Sequence, residues 1–385
     1  MKRFHGPLLA ALAFTMAACG GSEPPQTPTP RADRGGEDGM KPYAQVVTSG
    51  AETDDGLFDT HRVDDKLYFE IPNELLDQEL LLVTRIARTA NNIGFGGEKA
   101  NTQVVRWQRQ GDEILLRVVS YENVAADSLP IYQAVRNSNV EPILQTFDIE
   151  ALSPDSSSVV IDVTDLYESD VPALGLQSRR RSQFGVRRLD TGRSYIEWVK
   201  SFPENVEVRH VLTYEATEAP SNSSTNTITL EMNQSMIQLP ADPMTPRPYD
   251  WRVGYFSVAQ TDYGLDVQRA EENRFITRWR LEPSDPAAFR RGELVEPVEP
   301  IVYYIDPATP MKWRSCLKEG VEDWNTAFED AGFRNAIMAK DPPSPEEDPE
   351  FSPEDVRYSV IRYFSSPVQN AYGPHVHDPR TGEIL

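Results

Sequence analysis

Between Tyr43 and about Arg291, apolar residues recur at every second position in short runs cut by turn signals, and that period of two commits the chain to β-structure. Leu67, Phe69 and Ile71 alternate with Tyr68 and Glu70. Further strands are predicted over 80–87, 103–109, 113–121, 158–163, 194–202, 206–216, 226–232 and 274–282. Gln110-Gly111-Asp112 predicts a hairpin between two of them, and Asp190-Thr191-Gly192 another turn. No helical stripe of convincing length interrupts these runs. The fold class read from the pattern is α+β, led by an antiparallel β-rich domain of sandwich-like or meander type over residues 43–291.

After the proline-spaced stretch LVEPVEP (294–300) the pattern changes to strand, helix, strand, and defines a second domain over 298–385. PIVYYID (300–306) is a β-rich apolar run. Thr309 as N-cap and Pro310 at the first turn predict a helix over 310–331. Trp313, Cys316, Leu317, Val321, Trp324, Ala327, Phe328 and Ala331 form its apolar face, which makes Cys316 a small buried core residue. Gly332 predicts a left-handed C-cap with Phe333 folding back on the helix. Short strands follow at 336–339 and 357–364, separated by a polar loop over 341–355.

The N-terminus carries a different signal. Lys2, Arg3 and His5 precede an apolar run, Leu8–Ala18, which is far short of the roughly 20 residues that span a bilayer. It ends in Met16-Ala17-Ala18-Cys19, which resembles a bacterial lipobox. That resemblance implies a signal peptide over 1–18, lipidation of Cys19 and a flexible tether over 19–42. With Gly20, not Asp, after the cysteine, it also implies sorting to the outer membrane of a Gram-negative envelope. The membrane is then a partner through lipid alone. Net charge is −22, which argues against nucleic acid or anionic lipid headgroups as partners, because both would be repelled. Cys316 is the one cysteine besides Cys19, so no disulfide framework is available.

Catalytic signatures are absent: no G-x-S-x-G, phosphate loop, dinucleotide fingerprint or H-E-x-x-H occurs. His375-Val376-His377 on a strand would place two imidazoles on one face, but two ligands do not make a zinc site. On the residues alone the stretch around them is solvent-facing, and no active site is visible.

Several segments resemble a domain of unknown function and the following metzincin-type protease domain of large bacterial zinc-dependent metalloproteases. They are PENVEVRHVLTYEA, QLPADPMTPRPYDWRVGYF, RFITRWRLEPSDP, YYIDPATPMKWRSCLKEGVEDWNTAFEDAGFRNAI and NAYGPHVHDPRTGEIL. The resemblance implies that residues 298–385 are the strand–helix–strand start of a metzincin-like domain. Its zinc ligands are then expected beyond Leu385, and the chain is expected to be inactive alone. By the same resemblance Ala371, Tyr372, Gly373 and Pro374, with Thr381–Leu385, lie at or near a sheet edge that pairs with a peptide or protein substrate. The alternative is a non-catalytic surface lipoprotein whose β-rich domain binds a glycan or a protein.

The lipobox gives a direct test. Expressed in a Gram-negative host, the protein should take up labelled palmitate and partition into detergent, and Cys19→Ala should abolish both. Undiminished labelling of that variant would remove the lipoprotein reading.

Overall fold

The computed structural model describes residues 39–220, 224–364, 371–373 and 375–385. The expected signal peptide, Cys19, most of the expected tether and Pro374 lie outside the described residues. Met40–Leu385 forms one compact unit. The packed chain begins inside the expected tether, because the Lys41 amide donates to the Glu150 carbonyl at 2.8 Å.

In chain order the strands are β1 (Glu52–Asp54), β2 (Asp59–Val63), β3 (Lys66–Pro72), β4 (Glu79–Arg88), β5 (Glu98–Gln110) and β6 (Glu113–Val119). They continue as β7 (Asn123–Val124), β8 (Ile143–Leu152), β9 (Ser158–Asp162), β10 (Val186–Leu189), β11 (Tyr195–Ser201) and β12 (Asn205–Ala216). The last six are β13 (Thr227–Gln238), β14 (Ser257–Asp262), β15 (Glu271–Ile276), β16 (Ile301–Ile305), β17 (Ile337–Lys340) and β18 (Ser359–Ile361). The helices are short: α1 (Tyr43–Val46), α2 (Ile131–Ser138), α3 (Thr164–Glu168), α4 (Ser178–Gln183), α5 (Pro286–Arg290), α6 (Met311–Glu322) and α7 (Asn325–Asp330).

One antiparallel sheet runs β1-β2-β3-β9-β8-β6-β5-β4-β13-β12-β10, with β11 also paired to β12. It curls until its ends meet. Arg62 of β2 donates to the carbonyls of Ile196 and Glu197 on β11 at 3.0 and 3.1 Å. The Leu57 amide reaches the Phe202 carbonyl at 2.8 Å. The expected sandwich or meander is therefore a nearly closed barrel. Its inward-facing residues, including Leu67, Phe69, Leu82, Trp107, Leu116, Phe147, Ile161 and Val208, fill a single core. Phe69 packs against Phe58, Tyr167 and Trp107 with ring centroids 4.9, 6.1 and 6.4 Å apart, and α3 inserts Leu166 and Tyr167 beside them. The Gly111-Asp112 hairpin joins β5 to β6 as predicted.

Two small sheets flank the barrel sheet in sequence. One is mixed, β15-β14-β7, and the other is wholly parallel, β17-β16-β18. The predicted helix over 310–331 is two helices, broken at Asp323-Trp324. Pro310, not Thr309, is its N-cap, and no side chain caps it. Its sheet-facing stripe is Arg314, Leu317, Lys318 and Val321, while Trp313 and Trp324 are exposed. The stripe is rotated because Arg314 donates to the Thr309 carbonyl and Lys318 to Asp341, which lays both aliphatic stems over the sheet. Cys316 is consequently exposed rather than buried. Gly332 (φ 96°) ends α7 as predicted, and Phe333 donates its amide back to the Phe328 carbonyl.

The outer face of β4, β5 and β13 is also covered. Leu81, Val83, Val104 and Ile237 cluster with Val356, Val376 and Leu385 from the C-terminal segments. Beside this patch Glu354 accepts hydrogen bonds from Arg209 (2.9 Å), Arg362 (3.1 Å) and Arg85 (3.2 Å). Asn205 fixes the same turn, donating to the Glu354 carbonyl at 2.9 Å and accepting from the Val356 amide at 3.0 Å.

Burial alone would raise the Glu354 pKa, but Arg85, Arg362 and Arg209 outweigh it and hold the carboxyl below its ordinary value. A depressed carboxyl contributes stability above its unfolded pKa that is lost as pH falls through the folded one. Glu354→Ala leaves three guanidinium groups without their shared partner and should cost about 3 kcal/mol in denaturant unfolding. Residues 352–364 should then become the first site of limited proteolysis. A loss below about 1 kcal/mol, the range of exposed pairs, would remove this role.

Candidate functional site

The C-terminal run from Ala371 crosses the outer side of the barrel. Ala371, Tyr372 and Gly373 are exposed and belong to no strand, and Tyr372 packs its ring on Phe95 at 5.8 Å. Phe95 also meets Phe364 at 6.3 Å, so three aromatic rings gather beside the start of β5.

Beyond Gly373 the chain folds back on itself. His377 bridges to Ile384, and the Leu385 amide donates to the Val376 carbonyl at 3.0 Å. The returning segment 381–385 does not join the parallel sheet. It pairs with Arg278 instead, through Arg278 N–H to Gly382 O and Ile384 N–H to Arg278 O, both 2.9 Å. Glu383 takes a bidentate pair of hydrogen bonds from Arg280 at 2.7 and 2.8 Å. Gly382 (φ 78°) permits this approach, since a Cβ there would lie 2.4 Å from the Ile276 carbonyl oxygen. The expectation that Thr381–Leu385 lies at the edge of the protease-like sheet is corrected. The pair with Arg280 and the packing of half-buried Leu385 beside Leu81, Val83 and Ile237 hold the segment beside Arg278 instead.

His375 and His377 do come together, with ring centroids 5.2 Å apart, and Phe256 packs on His375 at 5.6 Å. Both imidazoles are half-buried rather than solvent-facing. Lys99 is close, donating to the His375 carbonyl at 3.2 Å. Burial, then His375 and Lys99, lower the His377 pKa to about 4, so its ring is neutral at neutral pH. Its Nδ1 is buried with no hydrogen-bond partner among the described residues. Two neutral imidazoles offer lone pairs, but among the described residues no group of three or more His, Cys, Asp or Glu side chains could hold a metal ion. The residues present do not fit a zinc centre.

Another histidine, buried inside the barrel, escaped the sequence pattern. His210 lies inside the barrel, its Nδ1–H donating to the Tyr167 carbonyl at 2.6 Å and its Nε2 accepting from Gln234 at 2.9 Å. Gln234 in turn accepts from Thr84 at 2.7 Å and donates to the Leu174 carbonyl at 2.8 Å. Those partners specify the neutral Nδ1–H tautomer, and burial holds the His210 pKa at about 4. On the opposite face of β12, Glu207 is fully buried and accepts from Asn205, Asn233 and Ser235. Burial raises its pKa to about 7, against the pull of Arg85. The only sequence signal for either group was a polar residue at an apolar strand position.

This geometry defines a barrel-like β-protein followed by a small parallel α/β unit, whose loop before β18 docks on the barrel's outer face through Glu354 and Val356. Residues 40–89 match the domain of unknown function DUF5118, and residues 97–284 match the domain of unknown function DUF5117. The chain therefore carries these two domains, which together cover most of the barrel. No curated protein matches it, and no solved structure does.

The neutral histidines have a pH consequence. A histidine whose folded pKa is depressed costs stability as pH falls from its unfolded value near 6.5 toward 4. His377→Gln removes one such group. The wild-type advantage over His377→Gln should shrink by about 2 kcal/mol between pH 7.5 and 4.5 in paired denaturant melts. A constant difference across that range would mean that His377 is not held neutral.

Proposed function

We propose that this chain is the N-terminal portion of a secreted, lipid-anchored zinc-dependent endopeptidase. In this reading the barrel carries the framework of the protease domain, and the zinc ligands come from sequence outside the 385 residues. The observation that carries the reading is the parallel unit after the barrel. Strand β16, helices α6 and α7, and strands β17 and β18 form a right-ordered strand–helix–strand unit with helices packed beside a parallel sheet. That is the element order expected from the resemblance of residues 298–385 to a metzincin-type domain. Trp313 and Trp324 remain exposed on α6 and beside α7, which is consistent with a further layer packing there.

Exposed Ala371, Tyr372 and Gly373 remain the substrate-edge candidates, as a peptide contact surface rather than a formed strand. The envelope location and the membrane attachment rest on the Cys19 motif.

A second reading is favoured by one specific surface. Trp251 and Phe256 are 82% and 73% exposed, with Tyr255 beside them in sequence. Such a group of uncovered aromatics suits a non-catalytic glycan- or protein-binding lipoprotein.

The two readings separate in one experiment. The coding sequence should be expressed with its downstream DNA, in parallel with Met40–Leu385. The endopeptidase reading expects stoichiometric zinc and chelator-sensitive cleavage of unstructured casein from the longer product, and neither from Met40–Leu385. A longer product that is metal-free and inactive, or a stop codon directly after Leu385, would overturn it.

A further inference from the structure

The barrel sheet carries a basic cleft at its β10 end. Residues 178–193 hold six arginines against one aspartate, in a chain whose net charge is −22. Four of the six are neutralised: Arg180 by Glu98, Arg181 by Asp170, Arg188 by Glu215 and Arg193 by Asp190. Arg187 and Arg179 are exposed, and neither makes a hydrogen bond or ion pair with any described residue.

The backbone explains how Arg187 comes to be presented. Strand β10 pairs Val186 with Ala216 and Arg188 with Glu215, so Arg187 is the extra residue of a β-bulge. A bulge re-aims side chains and sets adjacent residues toward one side of the strand. Arg187 thereby lines a cleft of about 330 Å³, together with Arg193, Glu215, Thr217, Asn226 and Thr227. The Glu215 carboxylate is already occupied by the Arg188 guanidinium, at 2.7 and 3.0 Å. Arg193 is oriented by Asp190 at 2.6 and 2.8 Å. The cleft therefore holds one unpartnered guanidinium, one held in place by its own carboxylate, and a wall of threonine hydroxyls and an amide. The Thr227 hydroxyl already donates to Thr225 at 3.0 Å and the Thr217 hydroxyl to the Gly185 carbonyl at 3.4 Å, so the guanidinium fork, which fits two oxygens of a phosphate, is the cleft's main donor group.

We propose that this cleft at the β10 bulge binds the phosphate group of an anionic ligand, with Arg187 as its principal contact. A phosphate monoester and the phosphodiester of a lipid headgroup share that chemistry, and both fit a cleft open to solvent. Binding is salt-sensitive because the site is exposed.

Met40–Leu385, the compact unit, is titrated with inorganic pyrophosphate by calorimetry, and separately with phosphatidylcholine vesicles containing or lacking phosphatidylglycerol. Pyrophosphate binding, or vesicle binding that requires phosphatidylglycerol, is expected, and Arg187→Gln should weaken it about tenfold. Arg187 is exposed and makes no hydrogen bond or ion pair with a described residue, so the variant should fold as the wild type does, checked by its melting curve. Arg269→Gln, an exposed arginine on the β14–β15 loop, should leave binding within about twofold. Pyrophosphate binding without vesicle binding assigns a soluble phosphate, and the reverse assigns a headgroup. Failure of both probes, or equal weakening by Arg187→Gln and Arg269→Gln, would overturn the proposal.

Discussion

The arrangement outside the barrel depends on how one buried and one nearly buried carboxylate, Glu207 and Glu354, are satisfied. Glu207 is sealed on the outer face of β12, where an uncompensated charge would be costly. Asn205, Asn233 and Ser235 supply donors to it, and Arg85 lies 3.6 Å away. Arg85 also reaches Glu354, which arrives on the polar loop before β18 and gathers Arg209 and Arg362. A face built only of Leu81, Val83 and Ile237 would accept any apolar cover. The carboxylate–guanidinium geometry instead demands this particular turn in this register, because each charge must find its own partner.

The same strands treat their inner face differently. His210 and Gln234 point into the core, where no counter-charge is available, and they are kept neutral by a closed chain of hydrogen bonds from Thr84 to the Tyr167 carbonyl. Strand β13 thus separates a charged network from a neutral one across the thickness of a single sheet. Both networks rest on Asn233, Gln234 and Ser235, three consecutive polar residues that are all buried. This concentration of satisfied polar groups fixes strand register more tightly than apolar packing alone, since a one-residue slip would exchange the two faces.

Much of the barrel is legible from alternation. Strands β3, β4, β5, β6, β9, β11 and β12 lie where period-two runs predict them. Strand β13 extends six residues past its predicted end at Met232, because Asn233-Gln234-Ser235 interrupt the apolar run and find their buried partners only in the folded sheet. Strands β8, β10 and β14 are not predicted, since Gln145, Thr146, Arg187, Arg188 and Gln260-Thr261 interrupt any apolar rhythm. Helix α6 shows the opposite error. Trp313 and Trp324 mark an apolar stripe along the predicted helix, yet arginine and lysine stems share the side of α6 facing the sheet with Leu317 and Val321. Among site residues, the His375–His377 proximity follows from their spacing. The half-burial of the pair, the aromatic group at Phe95 and the bulge at Arg187 do not.

What the sequence by itself determined is therefore local: β-structure to about residue 291, a strand–helix–strand pattern after 298, the Gly111 and Gly332 turns, and the acidic balance. These follow from side-chain periodicity and backbone preference, which act over a few residues. Only the tertiary structure decided that the sheet closes on itself, that Leu385 and Val376 cover its outer face, and that Glu383 pairs with Arg280 rather than with an edge strand. The physical reason is range. Closure and docking are set by partners more than a hundred residues apart, such as Arg62 with Glu197 and Arg209 with Glu354, and no local pattern records which distant group will satisfy a buried charge.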